Sequence, residues 1–182
     1  MNKTFIRFFT IADYLEEEAW LRSQGKAGWR LVKMTPPCFF LFESCPPEDV
    51  IYRLDFKNNM QSPEYMQMVR DYGWEYCGSC VGWLYFRKAA AEVTDKNDGE
   101  LFSDGASKVE MVEKISRNRM LPLLVIFLCC IVPNLYLLFS RGGTDGAGMM
   151  VVYVLLFALY LYLFIHCGGK LRRLKEEYRE RP

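Results

Sequence analysis

Apolar and polar positions divide the chain into three parts. Over residues 1–90 short apolar runs alternate with polar turns. FIRFFT (5–10), FFLFES (39–44), VIYRLD (50–55) and LYFRKA (84–89) have the length and the aromatic, β-branched content of strands. Between them Ile11, Leu15 and Ala19, and later Tyr65, Met68, Val69 and Tyr72, fall at helical spacing. Asp13 with Glu16 has the form of a capping box, and Ser62-Pro63 that of an N-cap followed by proline in the first turn. Each helix is expected to end at a glycine, Gly28 or Gly73, with a tryptophan opening the next strand. Hairpin turns are expected at Pro36-Pro37 and near Val81-Gly82.

These segments recur at a constant offset of 45 residues. Gly28-Trp29 returns as Gly73-Trp74, residues 5–10 as 50–55, and 39–44 as 84–89. An internal repeat follows, and with it an α+β fold: a tandem βαββ unit over residues 1–90 with an antiparallel sheet. Residues 91–107 are acidic, contain glycine and lack an apolar period, which predicts a flexible linker.

Residues 108–182 predict a transmembrane helix hairpin with a charged tail. Met120 to Phe139 and Met149 to Cys167 contain no Asp, Glu, Lys or Arg, and each is long enough for a hydrocarbon core of about 30 Å. A chain this short has nothing to bury two all-round apolar helices against. Lys108, Lys114, Arg117 and Arg119 precede the first span; Lys170, Arg172, Arg173 and Lys175 follow the second. By this bias both chain ends are expected on the cytoplasmic side of a bacterial cell membrane. The N-terminus MNKTFIRFFT lacks the apolar core of a signal peptide. Pro133 is expected to kink the first span. With no charge inside either span there is no ion or proton path to argue for, so a transporter on its own is excluded. The final KLRRLKEEYRERP is expected to extend the second helix with a solvated face.

Charge and residue chemistry narrow the function. A formal net charge of +1 offers no clustered basic face for nucleic acid. Of seven cysteines, Cys129, Cys130 and Cys167 lie in the apolar segments, and the rest in a domain placed in the reducing cytosol. Cys77 and Cys80 form a CxxC, but it follows a strand and enters a turn rather than opening a helix, so the device that activates a redox thiol is missing. Zinc would need Cys38 and Cys45 as well, with no second CxxC and no nearby His. His166 is the one histidine, which removes Ser-His and Cys-His chemistry. Glu16, Glu17 and Glu18 are successive helix positions and read as a solvated face. No catalytic residue, cofactor or metal site is expected, and an enzyme is not.

Strand alternation then suggests a binding surface. Phe5, Phe9, Val50, Tyr52 and Leu54 are expected to face the helices. Ile6, Phe8, Arg53 and Asp55 point the other way, joined by Phe40, Phe42, Tyr85 and Arg87 if the hairpins keep register. Aromatic rings mixed with charges suit a lipophilic small molecule or the apolar patch of a regulatory protein; packing against a second copy or the linker is the alternative. The leading expectation is a membrane-anchored binding or sensor module in contact with the bilayer. The rival is a structural or accessory subunit of a membrane complex.

At FIRFF, EEEAWLRSQGKAGWRL, FFLFE, YRLDF, DYGWEY and WLYFRK the first 90 residues resemble a bacterial family called domain of unknown function 2812. The resemblance implies a soluble domain followed by two membrane helices. Such proteins are common in Gram-positive bacteria, often encoded beside PadR-like transcriptional regulators, which implies a regulatory or sensing role and a possible regulator as partner. Separately, the doubled βαββ order is similar to the effector-binding domains of multidrug-responsive regulators, which bind lipophilic cations; this is analogy at the level of fold.

Overall fold

A computed structural model describes residues 1–56, 62–95, 97–101, 105–141 and 147–180. The backbone clusters into two units that divide between Met111 and Val112.

The N-terminal unit begins with β1 (Asn2–Ile6), α1 (Tyr14–Lys26), β2 (Trp29–Thr35) and β3 (Phe39–Ser44), and continues with β4 (Val50–Phe56), α2 (Pro63–Asp71), β5 (Glu75–Cys80) and β6 (Trp83–Ala89). The strands form two antiparallel three-stranded sheets, ordered β1-β3-β2 and β4-β6-β5. The halves correspond beyond element order. Gly28 and Gly73, each just past a helix, have φ of 81° and 80°, a left-handed conformation that costs glycine little. A Cβ on Gly28 would also lie 2.9 Å from the Cys45 carbonyl oxygen. Register shifts by one residue at Val32 in β2 and at Cys77 in β5, positions that again differ by 45.

The hairpin turns fall as expected, at Pro36-Pro37 between β2 and β3 and at Val81-Gly82 between β5 and β6. Ser62 caps α2 through its side chain, which accepts from the Tyr65 N–H at 3.2 Å. Asp13 does not complete a capping box. Its carboxylate turns back to accept from the Thr10 N–H (2.9 Å) and hydroxyl (2.5 Å). β1 lies three residues earlier than expected, because its ladder with β3 ends at Ile6 opposite Phe39 and the chain then turns to enter α1.

The largest departure is in which faces are covered. Antiparallel pairing places Phe5 opposite Phe40 and Lys3 opposite Phe42, so all three rings lie on one face of the first sheet. There Trp20 of α1 meets Phe5, Phe40 and Phe42 edge-on, with ring centroids 6.4, 4.9 and 5.7 Å away. Phe40 and Phe42 are fully buried. Leu54 likewise pairs with Tyr85 and Tyr52 with Arg87, so these four share a face of the second sheet. Onto that face packs another side of α1, Tyr14 stacking near Trp83 at 5.2 Å. The opposite face, carrying Ile51, Leu84 and Phe86, packs with Trp74 and with Tyr65 and Val69 of α2. The second sheet is therefore covered on both sides.

Residues 91–107 are not a loose tether where they are described. Val93 and Leu101 pack against the Ile51–Phe86 core, and Gly99 is buried. Glu100 accepts from Arg53 Nη2 and Lys108 Nζ, both at 3.0 Å.

In the second unit, α3 (Gly105–Ile115), which begins in the first unit, runs on through α4 (Leu121–Ile126) and α5 (Val132–Arg141), and α6 (Ala147–Glu180) follows. Two helices here are long and apolar enough to cross a membrane, Gly105–Leu137 and Gly148–Glu180. Ser116–Met120 and Phe127–Ile131 are π turns, and each ends two residues before a proline, Pro122 or Pro133. Proline lacks an N–H and its ring collides with the carbonyl four residues back; a wide turn relieves both. Asn134 Nδ2 donates to the Cys130 carbonyl at 2.8 Å, satisfying one group in the second wide turn. The expected effect of Pro133 thus takes the form of a widened turn. The loop between the spans lies largely outside the described residues.

Candidate functional site

The seven residues expected to share an open face are dispersed. Phe8 is 73% exposed beyond the end of β1. Phe40 and Phe42 are core. Asp55 is buried and accepts from the Tyr65 hydroxyl at 2.6 Å. Arg53 bridges Glu18 (3.2 Å) and Glu100 (3.0 Å). Tyr85 is buried under α1. Arg87 lies on the face opposite to Arg53 and Asp55. Alternation sets parity within a strand, whereas the relation between strands depends on pairing register, and a one-residue slip inverts it.

What the fold does assemble is a cleft of about 330 Å³ where β2, β4 and β5 begin, β6 ends and α1 terminates. β2 and β5 are neighbours without a ladder between them. The Leu31 N–H instead donates to the Tyr52 hydroxyl, and its carbonyl accepts from Arg87 Nη1, both at 3.5 Å. Side chains of the second half thus satisfy a free strand edge of the first. Arg87 is fixed by a bidentate pair with Glu75, at 2.7 and 2.6 Å, and this hydrogen bonding holds the Glu75 carboxyl below its ordinary value. Lys88 Nζ donates to the Tyr72 carbonyl at 3.0 Å and sits over the Trp74 ring.

Other charges in the wall are uncommitted. Arg30 makes no hydrogen bond or ion pair among the described residues and acts on Glu75 and Cys77 through space. The exposed carboxylates of Glu48 and Glu92 also line the cleft without an ion pair among the described residues. Trp29 supplies an aromatic wall. Burial pushes Cys77 up to about 12, so it is a thiol rather than a thiolate at neutral pH. Cys77 and Cys80 are not bonded to each other. Among the described residues no cluster of three or more His, Cys, Asp or Glu is arranged to hold a metal.

A second constellation lies on the buried side of α1, and the sequence reading missed it. Glu17 and Glu18 are not a solvated face: they are 4% and 6% exposed. Tyr85 donates to Glu17 Oε1 at 2.7 Å while lying against the Met34 sulfur. Burial raises Glu17 to about 7 against the lowering effect of that bond. Glu18 accepts from the Leu54 N–H at 2.8 Å, on the free edge of β4, and from Arg53; burial raises it too. The missed signal was helical spacing, since Tyr14, Glu17, Glu18, Leu21 and Gly25 form the buried stripe of α1. Leu15 and Ala19, expected to face the core, are exposed.

No curated protein and no solved structure matches the chain significantly. A family model described as protein of unknown function (DUF2812) matches residues 13–126, from the start of α1 to the end of α4. That is more than half of the chain, and it takes in nearly all of the N-terminal unit together with the first two thirds of the first long apolar helix. The chain belongs to the DUF2812 family of proteins of unknown function.

Proposed function

We propose that the protein is a membrane-anchored sensor module whose N-terminal unit faces the cytoplasm and binds a small polar molecule in the cleft between its two halves. The observation that carries this reading is the uncommitted Arg30 in a concave wall of about 330 Å³ that also bears Glu48 and Glu92. That volume is near the lower end of ligand sites, roughly 300–1,000 Å³. Unpaired charge of both signs favours a ligand with an anionic group for Arg30 and an amine or hydroxyl for a carboxylate. A lipophilic ligand fits less well, because Phe40, Phe42 and Tyr85 are packed in the core. The basic residues flanking both spans support the cytoplasmic orientation.

The test is a thermal-shift screen of the full chain in mild detergent with small carboxylates, phosphates and zwitterions. Trp29 lies in the wall, so binding also changes intrinsic fluorescence. Compounds that stabilise the wild type should lose their effect in Arg30→Ala. A screen without hits, or hits that stabilise Arg30→Ala equally, refutes the cleft as the site. A second reading, recognition of a regulatory protein, is favoured by Ile6, Phe8 and Phe39, which stay exposed at one end of the first sheet. Phe8→Ala would then abolish capture of that partner and leave small-molecule binding intact.

A further inference from the structure

The second unit contains a groove of about 620 Å³ at the polar end of its two long helices. Its composition changes along its length. Towards the apolar spans it is lined by Leu121, Leu124 and Phe164; away from them come Arg117 and Arg172. The change falls where the uncharged stretches end, at Met120 in one helix and Cys167 in the other. In a membrane this is the level at which acyl chains give way to head groups.

The two arginines are not consumed within the protein. Lys175, beside them, pairs with Glu113 at 2.7 Å. Arg117 and Arg172 form no ion pair or hydrogen bond among the described residues; Glu113, which also lines the groove, is held down mainly by Lys175, and Arg117 acts on it only through space. Lys114, Arg119, Lys170 and Arg173 add positive potential at the same level. Space is also provided: a Cβ built on Gly168, in the wall between the cationic and apolar ends, would meet nothing within 4 Å.

We propose that this groove is a binding site for one anionic phospholipid. The phosphodiester lies between Arg117 and Arg172, with Ser116 at hand as a hydroxyl donor, and an acyl chain runs along Leu121, Leu124 and Phe164. Guanidinium groups match phosphate oxygens geometrically. The order of cation and hydrocarbon along the groove is that of a lipid standing in a leaflet, which a soluble anion would not require. This site is independent of the cleft in the N-terminal unit, and either can fail alone.

The experiment is native mass spectrometry of the full chain in mild detergent, titrated with phosphatidylglycerol or with phosphatidylcholine. Wild type should retain one phosphatidylglycerol at least tenfold more strongly than phosphatidylcholine, and millimolar inorganic phosphate should not displace it. Arg117→Gln and Arg172→Gln should each weaken retention about tenfold, whereas Arg173→Gln, with the same charge change outside the groove wall, should have little effect. Gly168→Leu fills the groove without altering charge and should also abolish retention. Its fold is checked by unchanged helical circular dichroism, by its thermal melt at 222 nm and by monodisperse elution in the same detergent. Equal retention of both lipids, displacement by phosphate, an Arg173→Gln effect as large as that of Arg172→Gln, or undiminished retention by folded Gly168→Leu would each overturn the assignment.

Discussion

Replacing Glu17 with Gln should stabilise the N-terminal unit at neutral pH and flatten its response to pH. Burial of this α1 side chain against Tyr85 of the second sheet lifts its carboxyl from 4.5 to about 7. The unfolded chain therefore gives up the proton near pH 4.5, whereas the folded chain keeps it until about pH 7. Below the first value the group costs nothing. As pH rises between the two, the unfolded state is favoured, and above the second the full penalty is present. Since one pKa unit is worth about 1.4 kcal/mol, that penalty is on the order of 3 kcal/mol. Gln is uncharged and retains an oxygen to accept from Tyr85, so the penalty is removed while the 2.7 Å contact survives. All four tryptophans, at positions 20, 29, 74 and 83, belong to the N-terminal unit, so fluorescence melts of the full chain in detergent read this unit alone. Glu18 is shifted the same way and contributes its own slope, which the comparison of wild type with variant cancels. Glu17→Gln should match wild type near pH 4.5 and melt roughly 10 °C higher at pH 8. Equal melting at pH 8, or the same slope in both proteins, would refute a buried proton-holding carboxyl.

Val81 is a β-branched residue at φ 49° in the β5–β6 turn, so Val81→Asn should raise stability by about 0.5–1 kcal/mol in denaturant titrations. Phe40→Ala should cost about 3–5 kcal/mol, and Phe8→Ala less than about 0.5, in the same titrations. A reporter active only outside the cytoplasm should be active when inserted near Gly143 and silent when fused after Pro182; activity at the C-terminus would reverse the proposed topology.

The elements were legible where local chemistry sets them. Ser62-Pro63, Gly28, Gly73 and the two hairpin turns each act within a few residues and fell where expected. The faces were not legible, because they depend on pairing between strands. Phe5 and Phe40 were assigned to opposite sides, yet the β1–β3 ladder sets them directly across from each other. The bulges at Val32 and Cys77 shift parity within a strand, and nothing in the composition announces them. Glu17 and Glu18 defeated the reading of α1 for a different reason. A core stripe was sought among apolar residues, but this one runs through two carboxylates that Tyr85, Arg53 and the edge of β4 make tolerable. Residues 91–101 likewise have a linker's composition, with Val93, Leu101 and Glu100 enough to hold them against the domain. The cleft could not be foreseen at all, since its wall is drawn from five strands and helices whose proximity is wholly tertiary.

The two widened turns before Pro122 and Pro133 also decide which way the first long helix faces. Each inserts about one residue into the helical count, which retards the angular position of everything beyond it by about 100°. Ile115 and Ile131 are both buried, 16 positions apart. An unbroken α-helix would set them about 160° apart around its axis, on nearly opposite sides; two inserted residues bring them to within about 40°. The widened turns beside the prolines thereby bring Ile131 back to nearly the same side of this helix as Ile115. Deleting one residue from the first turn would swing Ile131 about 100° further from the side that carries Ile115.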